Sequence, residues 1–175
     1  MKNKYLFPVS IGLSDGIITA LILASGGIIG NTHHIDLYLA FRISFGSAFA
    51  GTFSYFIAQY AGLNEELHRT AMQLNLKSTG YLLRGHLGSE IFIESIIGAL
   101  LAAIFGFLGA MIPLSSSLMI KNNVFIPLLV SYLSLAVLGF FISKTTAGRA
   151  PFWITVMVTV GVIVTVAGYY LKLIV

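Results

Sequence analysis

The sequence predicts an all-α membrane protein with about five transmembrane helices, and two observations favour that fold class. Of the 175 residues, 57% are hydrophobic and only 9% are charged, whereas soluble domains carry about a quarter charged residues. The apolar stretches recur along the whole chain with short polar interruptions. We therefore expect lipid to be the solvent for most of the protein surface, and the composition excludes an ordinary water-soluble fold.

Apolar windows long enough to cross a bilayer, about 20 residues at ~1.5 Å each, recur along the chain. They predict spans at residues 5–30, 36–62, 90–113, 124–144 and 150–172. The connections are short except for residues 63–89, which could hold structure of their own. Pro8 and Pro127 fall in first turns, where a missing N–H costs little, and Pro113 and Pro151 fall where a helix would end or begin.

The basic residues indicate an orientation for these spans. With the N-terminus in the cytoplasm, seven of the ten lie inside: Lys2, Lys4, Arg69, Lys77, Arg84, Lys144 and Arg149. The outside then holds Arg42, Lys121 and Lys172. Because cytoplasmic loops carry an excess of Lys and Arg, we predict a cytoplasmic N-terminus and segment 63–89, with the C-terminus outside. This topology accounts for the net charge of +4, and no nucleic-acid partner is expected.

Several kinds of active site are missing from the sequence. There is no cysteine, which excludes disulfides, thiolate metal sites and a cysteine nucleophile. There is also no phosphate-binding glycine loop with a lysine, no His-Glu-x-x-His pair and no nucleophile elbow. An intramembrane hydrolase would need a Ser-His or two-Asp arrangement, whereas Asp15 is the only deep acid. We expect neither an enzyme nor a bound cofactor.

Asp15 lies about ten residues into the first span, near the middle of the bilayer. A carboxylate at that depth costs several kcal/mol unless it is paired, protonated or hydrated. Two interpretations are open: a protonated or capped residue packed against a neighbouring helix beside the flexible Gly16, or a cation or proton site inside the bundle. Arg42 lies near the outer end of the second span, and we expect it to extend to the interface instead of pairing with Asp15.

Polar side chains cluster toward the cytoplasmic end of the second span, at Ser54, Tyr55, Gln59 and Tyr60. Tyr55 and Gln59 are four residues apart, so both face one side of a helix and could line a polar path beside Asp15. Tyr60 is typical of the tyrosine belts found at membrane interfaces.

Two acidic groups lie in or beside segment 63–89. Asn64 is a candidate N-cap for a helix on which Glu65, His68 and Met72 share one face. Their oxygen, imidazole and thioether groups, with the adjacent Glu66, could bind a divalent transition metal, and a solvated acidic turn is the alternative. The second group opens the third span with Glu90 and Glu94, which could collect cations at a pore mouth or cap that helix. Outside, His33, His34 and Asp36 indicate an ordinary loop more than a release site.

Pairs of small residues four apart mark faces where helices approach closely in lipid. They occur in the first three spans as Gly12 and Gly16, Ser47 and Gly51, and Gly98 and Ala102. Packing within one chain is the favoured interpretation, and a dimer face is the alternative.

Three segments match motifs of a known family: GLSDGIIT at residues 12–19, AGTFSYFIAQY at residues 50–60 and GAMIPL at residues 109–114. They resemble motifs of the vacuolar iron transporter family, which exports ferrous iron or manganese from the cytosol in exchange for protons. Segment order is similar over essentially the whole chain. The resemblance implies five helices, an inside N-terminus, a cytoplasmic insert between helices two and three, and a homodimer.

The resemblance also assigns roles to individual positions. Asp15 falls on the family's transport-path aspartate, whereas Tyr55 replaces a metal-binding methionine and Gln59 replaces a glutamate. These differences remove a soft ligand and a negative charge, so a changed substrate or a non-transporting interaction role is the alternative. The insert is shorter than the family's Glu-rich domain, and its residues correspond only by region.

The leading hypothesis is a homodimeric, proton-coupled transporter of Fe²⁺ or Mn²⁺ in a prokaryotic cell membrane. The expected transport-path residues are Asp15, Gly16, Ser54, Tyr55 and Gln59. The expected metal ligands are Asp15, Glu65, Glu66, His68, Met72, Glu90 and Glu94. In the working mechanism a cation loses water between the first two helices, binds Asp15 with backbone or Ser54 oxygens, and leaves outward as Asp15 accepts a proton.

Overall fold

The computed structural model describes residues 5–27, 37–73, 86–119, 125–145 and 148–172. These residues form α1 (Leu6–Gly27), α2 (Leu37–Gln73), α3 (His86–Met119), α4 (Phe125–Thr145) and α5 (Ala150–Lys172). No strand occurs within those ranges. The all-α prediction is therefore confirmed.

Four of the helices, α1, α3, α4 and α5, are long and apolar enough to cross a membrane. Large apolar side chains such as Leu100, Leu129 and Ile163 are more than half exposed on the outside of the bundle. An apolar exterior of this kind suits lipid as the solvent, and helices are the form in which a chain can satisfy its backbone groups there. These features are compatible with an integral membrane protein. α2 carries charged side chains, among them Arg42, Glu65 and Arg69, and is not among the four.

The bounds of α2 and α3 differ from the predicted spans. α2 continues without a break through Gln73, so Asn64 lies inside the helix and the prediction that it is an N-cap is wrong. α3 begins at His86 and continues past Pro113, where the sequence predicts an end. The Pro113 ring is fully buried, and this packing stabilises a position at which proline removes one helix hydrogen bond. By contrast, Pro151 lies in the first turn of α5, where the sequence predicts that a helix begins.

The closest helix contact joins α1 and α3. A Cβ atom at Gly12 would collide with the backbone of Ala102, and one at Gly16 would collide with the backbone of Gly106. From the first contact to the second, the residue number rises by four on both helices, so α1 and α3 run parallel. Glycine is needed at these two positions because a side chain would force the backbones apart. The prediction that Gly12 and Gly16 pack within the chain is confirmed.

α2 runs antiparallel to α1 and α3. It packs along α3, with Ala48 near Gly106 and the Tyr55 ring against Gly98. α1 and α2 contact each other far less than either contacts α3. The two helices therefore flank α3 and contact each other along a narrow strip, where Asp15 meets Gly51 and Thr19 meets Ser47. We call this strip the α1–α2 seam.

α4 and α5 form an antiparallel hairpin that packs on the other side of α1. Gly139 lies against Ile154, and the hydroxyls of Tyr132 and Thr165 are joined by a 2.7 Å hydrogen bond. The core between α1 and the hairpin consists of Ile17, Leu21, Ala24, Leu128 and Leu135. α1 is thus covered by α3 on one side and by the hairpin on another, and part of its remaining surface faces outward beside α2.

Candidate functional site

Asp15 lies where α1 meets α2. A Cβ atom built on Gly51 would lie 2.7 Å from Oδ2 of Asp15, so the carboxylate rests directly against the α2 backbone. The residue is exposed on the outside of the single chain, on a face of α1 that also exposes Ile11 and Ile22. A carboxylate in these apolar surroundings needs a proton, water or a bound partner.

Gly16 sets the direction in which Asp15 points. It is buried, and a side chain there would collide with Gly106 and lie 2.7 Å from the backbone nitrogen of Ala110. This contact holds α1 against α3 in one rotation. Gly16, predicted as a path residue, therefore faces α3 and acts on the seam through packing.

Two hydroxyl groups continue the α1–α2 seam one helical turn from Asp15. Thr19 Oγ1 donates to the Asp15 carbonyl at 2.9 Å, and it lies 3.0 Å from Ser47 Oγ. Because the Thr19 proton is already used, the Ser47 hydroxyl is the donor between the two side chains. Ser47 and Gly51 thus share the face of α2 that meets α1, as the small-residue pattern predicts.

Ser44 of α2 is a third hydroxyl residue, one turn from Ser47. The residue is fully buried, and Ser44 Oγ has no hydrogen-bond partner among the described residues. It lies between Ala40 and Ala48, two buried residues on the face of α2 that packs toward α1 and α3. Leaving a buried hydroxyl without a partner costs about 1–3 kcal/mol, so the position calls for an explanation.

Sequence reasoning did not single out these hydroxyls as a site. Ser44, Ser47 and Gly51 are spaced i, i+3 and i+7, which places them on one face of a helix. That periodicity was the available signal. It could not reveal that the face meets α1 at Asp15 and Thr19, because this depends on the rotation of both helices about α3.

Tyr55 packs between α2 and α3, and its ring centroid also lies 6.5 Å from that of Phe7 in α1. The Tyr55 side chain is buried, packs on Gly98, and donates to Gln59 Oε1 at 3.4 Å, a long hydrogen bond. Glu94 of α3 is close enough to act electrostatically on the Tyr55 hydroxyl. The predicted shared face of Tyr55 and Gln59 is confirmed. Tyr55 lies one helical turn after Gly51, the residue that contacts Asp15.

The other predicted site residues are spread over the surface. Ser54 is exposed on α2. Glu65 forms an exposed 2.6 Å ion pair with Arg69, which already neutralises its carboxylate. Glu66, His68 and Met72 are also exposed on α2. Within the described residues, no three His, Asp or Glu side chains come together as a metal-binding group.

Glu90 and Glu94 lie beyond the first turn of α3, because the helix begins at His86. Capping the helix N-terminus is therefore not their role. Other residues used in the predictions lie outside the described parts of the chain: Lys2, Lys4, His33, His34, Asp36, Lys77, Arg84 and Lys121.

The sequence matches no protein-family model and no curated protein.

Proposed function

We propose that this protein is a homodimeric, proton-coupled transporter that exports a divalent metal cation of the Fe²⁺/Mn²⁺ class from the cytosol. The observation that carries the proposal is the exposed Asp15 carboxylate resting against Gly51 at the α1–α2 seam. Ionisable groups in apolar spans mark ion and proton pathways because their burial in lipid is costly. Carboxylate oxygens bind divalent cations, and protonation of the same oxygens releases them.

The proposal places all five helices across the membrane with the N-terminus in the cytoplasm. The alternating directions of the helices support five successive crossings. α2 has 37 residues, which at ~1.5 Å each give ~55 Å, enough to cross ~30 Å of hydrocarbon and extend beyond it. The extension carries Glu65 and Arg69, whose charges are then in water on the cytoplasmic side.

The exposure of Asp15 and of α2 supports the homodimer that the motif resemblance implies. Asp15 is exposed beside Gly51, and Ala50 and Ser54, the α2 residues next to that contact, are exposed as well. A second copy packed on this surface would shield the carboxylate from lipid. Two symmetry-related carboxylates near the axis would then match the charge of one divalent cation.

The mechanism uses Asp15 as both ligand and proton acceptor. A cation approaches from the cytoplasmic end, where Glu90 and Glu94 attract it. It exchanges water for Asp15 and for backbone or Ser54 oxygens. When Asp15 takes up a proton from the outside, the attraction is lost and the cation leaves outward.

A second candidate function is transport of a different solute, or an interaction role without transport. It is favoured by the Tyr55 hydrogen bond to Gln59 and by the packing of the Tyr55 ring on Gly98. A phenol and an amide engaged with each other supply neither a soft ligand nor a negative charge. If the variant Tyr55→Met/Gln59→Glu gains Fe²⁺ or Mn²⁺ flux that the native protein lacks, the native substrate is something else.

The direct test is cation uptake into liposomes containing the purified protein and a metal-quenched dye. Asp15→Asn should abolish Mn²⁺ and Fe²⁺ flux, and acidifying the compartment that receives the cation should accelerate flux through the native protein. Ser14→Ala is the matched control, because Ser14 is adjacent to Asp15 and its hydroxyl donates to the Ile11 carbonyl of the same helix. Unchanged flux in Asp15→Asn would contradict the proposal.

A further inference from the structure

The Thr19 and Ser47 hydroxyls of the seam lie on one side of Asp15 along the helix axes. Thr19 lies one turn beyond Asp15 on α1, toward the C-terminal end of that helix, and Ser47 opposes it from α2. In the orientation proposed above, this direction leads outward. Both residues are partly buried, so their side chains lie within the α1–α2 seam and not on the lipid-facing surface.

Ser44 provides an independent observation further along the same direction. It is three residues before Ser47 on α2, fully buried, and its hydroxyl is without a partner among the described residues. Serine in a helix commonly satisfies its hydroxyl with a backbone carbonyl of the preceding turn, as Ser131 does with Pro127 in α4. The Ser44 hydroxyl is therefore available to bind a ligand or water between the packed helices.

We propose that Thr19, Ser47 and Ser44 form the outward half of a cation path that begins at Asp15, and that this all-oxygen lining suits a hard divalent cation such as Mn²⁺ or Mg²⁺. The inference rests on the proposed function of Asp15. Carboxylate and hydroxyl oxygens are ligands preferred by Mg²⁺ and Mn²⁺, whereas soft metals favour sulfur. A cation or water passing Ser44 supplies the partner that its hydroxyl lacks.

The hydrogen bonds of the seam leave lone pairs for this purpose. Thr19 donates its only hydroxyl proton to the Asp15 carbonyl, and Ser47 donates to Thr19. Each hydroxyl oxygen has two acceptor positions, so Ser47 keeps both and Thr19 keeps one. A cation can therefore bind these oxygens without first breaking a hydrogen bond.

The test uses the absence of native cysteine, since each single-cysteine variant then carries one thiol. Ser44→Cys and Ser47→Cys are compared in proteoliposomes for reaction with a small cationic methanethiosulfonate reagent. Ser131→Cys is the matched control because Ser131 is fully buried in α4, away from the seam. We expect both seam thiols to react about tenfold faster than the control thiol, which is reached only by local unfolding.

Protection by cations tests the second half of the proposal. Mn²⁺ and Mg²⁺ should slow labelling of both seam thiols, and K⁺ at equal ionic strength should not. In an Asp15→Asn background the thiols should still react, but protection should be lost. Labelling no faster than Ser131→Cys overturns the path, and labelling without protection overturns its assignment to a divalent cation.

This test does not require transport, so it separates the two proposals. If Asp15→Asn keeps full flux while Ser44→Cys and Ser47→Cys are labelled and protected, the role given to Asp15 fails and the hydroxyl path is supported. If flux depends on Asp15 but the seam thiols are inert, the proposed function is supported and the path is overturned.

Discussion

Oδ2 of Asp15 rests against the backbone of Gly51, so a side chain at position 51 fits only if the carboxylate moves. A Cβ atom there would lie 2.7 Å from this oxygen. The contact brings a carboxylate of α1 onto the face of α2 that also carries Ser47. Position 51 therefore controls the space in which the carboxylate can bind a ligand.

Gly51→Ala should lower transport more than stability. The new methyl group displaces the end of the Asp15 side chain, which can rotate, while the helix gains up to about 1 kcal/mol from replacing glycine. We expect cation flux to fall several-fold with little loss of resistance to unfolding in SDS. The control is Gly46→Ala, since nothing lies within 4 Å of its Cβ position. Equal flux in both variants would show that the contact has no functional weight.

Gly16→Ala should do the opposite and reduce stability. Its methyl group meets the backbone of Gly106 and the nitrogen of Ala110, neither of which can rotate away. Overpacking of this kind costs about 1–3 kcal/mol, so α1 must move from α3. SDS unfolding followed by circular dichroism measures the loss, again with Gly46→Ala as the control. A native unfolding midpoint for Gly16→Ala would contradict the close α1–α3 contact.

Tyr55 should contribute to stability mainly through its ring. Its hydroxyl bond to Gln59 is long at 3.4 Å, so Tyr55→Phe should cost less than about 1 kcal/mol. Tyr55→Ala removes a buried ring that packs on Gly98 and should cost about 3–5 kcal/mol. Both values come from unfolding midpoints in detergent. A loss in Tyr55→Phe as large as that in Tyr55→Ala would show that the hydroxyl, not the ring, is the main contribution.

The Tyr132–Thr165 hydrogen bond should couple α4 to α5 weakly. Hydrogen bonds between membrane helices average about 0.6 kcal/mol in double-mutant cycles. A cycle of Tyr132→Phe and Thr165→Val should therefore give a coupling free energy between about 0.5 and 1.5 kcal/mol. Thr155→Val is the control, because Thr155 bonds within its own helix to Pro151. A coupling free energy of zero would show that the 2.7 Å contact adds nothing to hairpin stability.

The presence of the helices was predictable, because a long apolar segment in lipid satisfies its backbone hydrogen bonds by forming a helix. The ends of the helices were not predictable. The sequence predicts that α3 ends at Pro113, but the buried ring keeps the helix continuous to Met119. Likewise, polar residues after position 62 predict a break in α2 that does not occur. Local composition indicates where a helix leaves the hydrocarbon. The helical hydrogen bonds can continue beyond that point, so composition does not locate the end of the helix.

The sequence by itself determined the all-α class, the approximate positions of the helices and the prominence of Asp15, because each follows from the cost of polar groups in an apolar solvent. Only the tertiary structure decided which groups meet Asp15. The close contact of Gly16 with α3 sets the rotation of α1, and that rotation brings Asp15 to Gly51 and Thr19 to Ser47. Tyr55 packs on Gly98 of α3, and its ring centroid lies 6.5 Å from that of Phe7 in α1. Helix rotation depends on the fit of two backbones, which no single helix encodes.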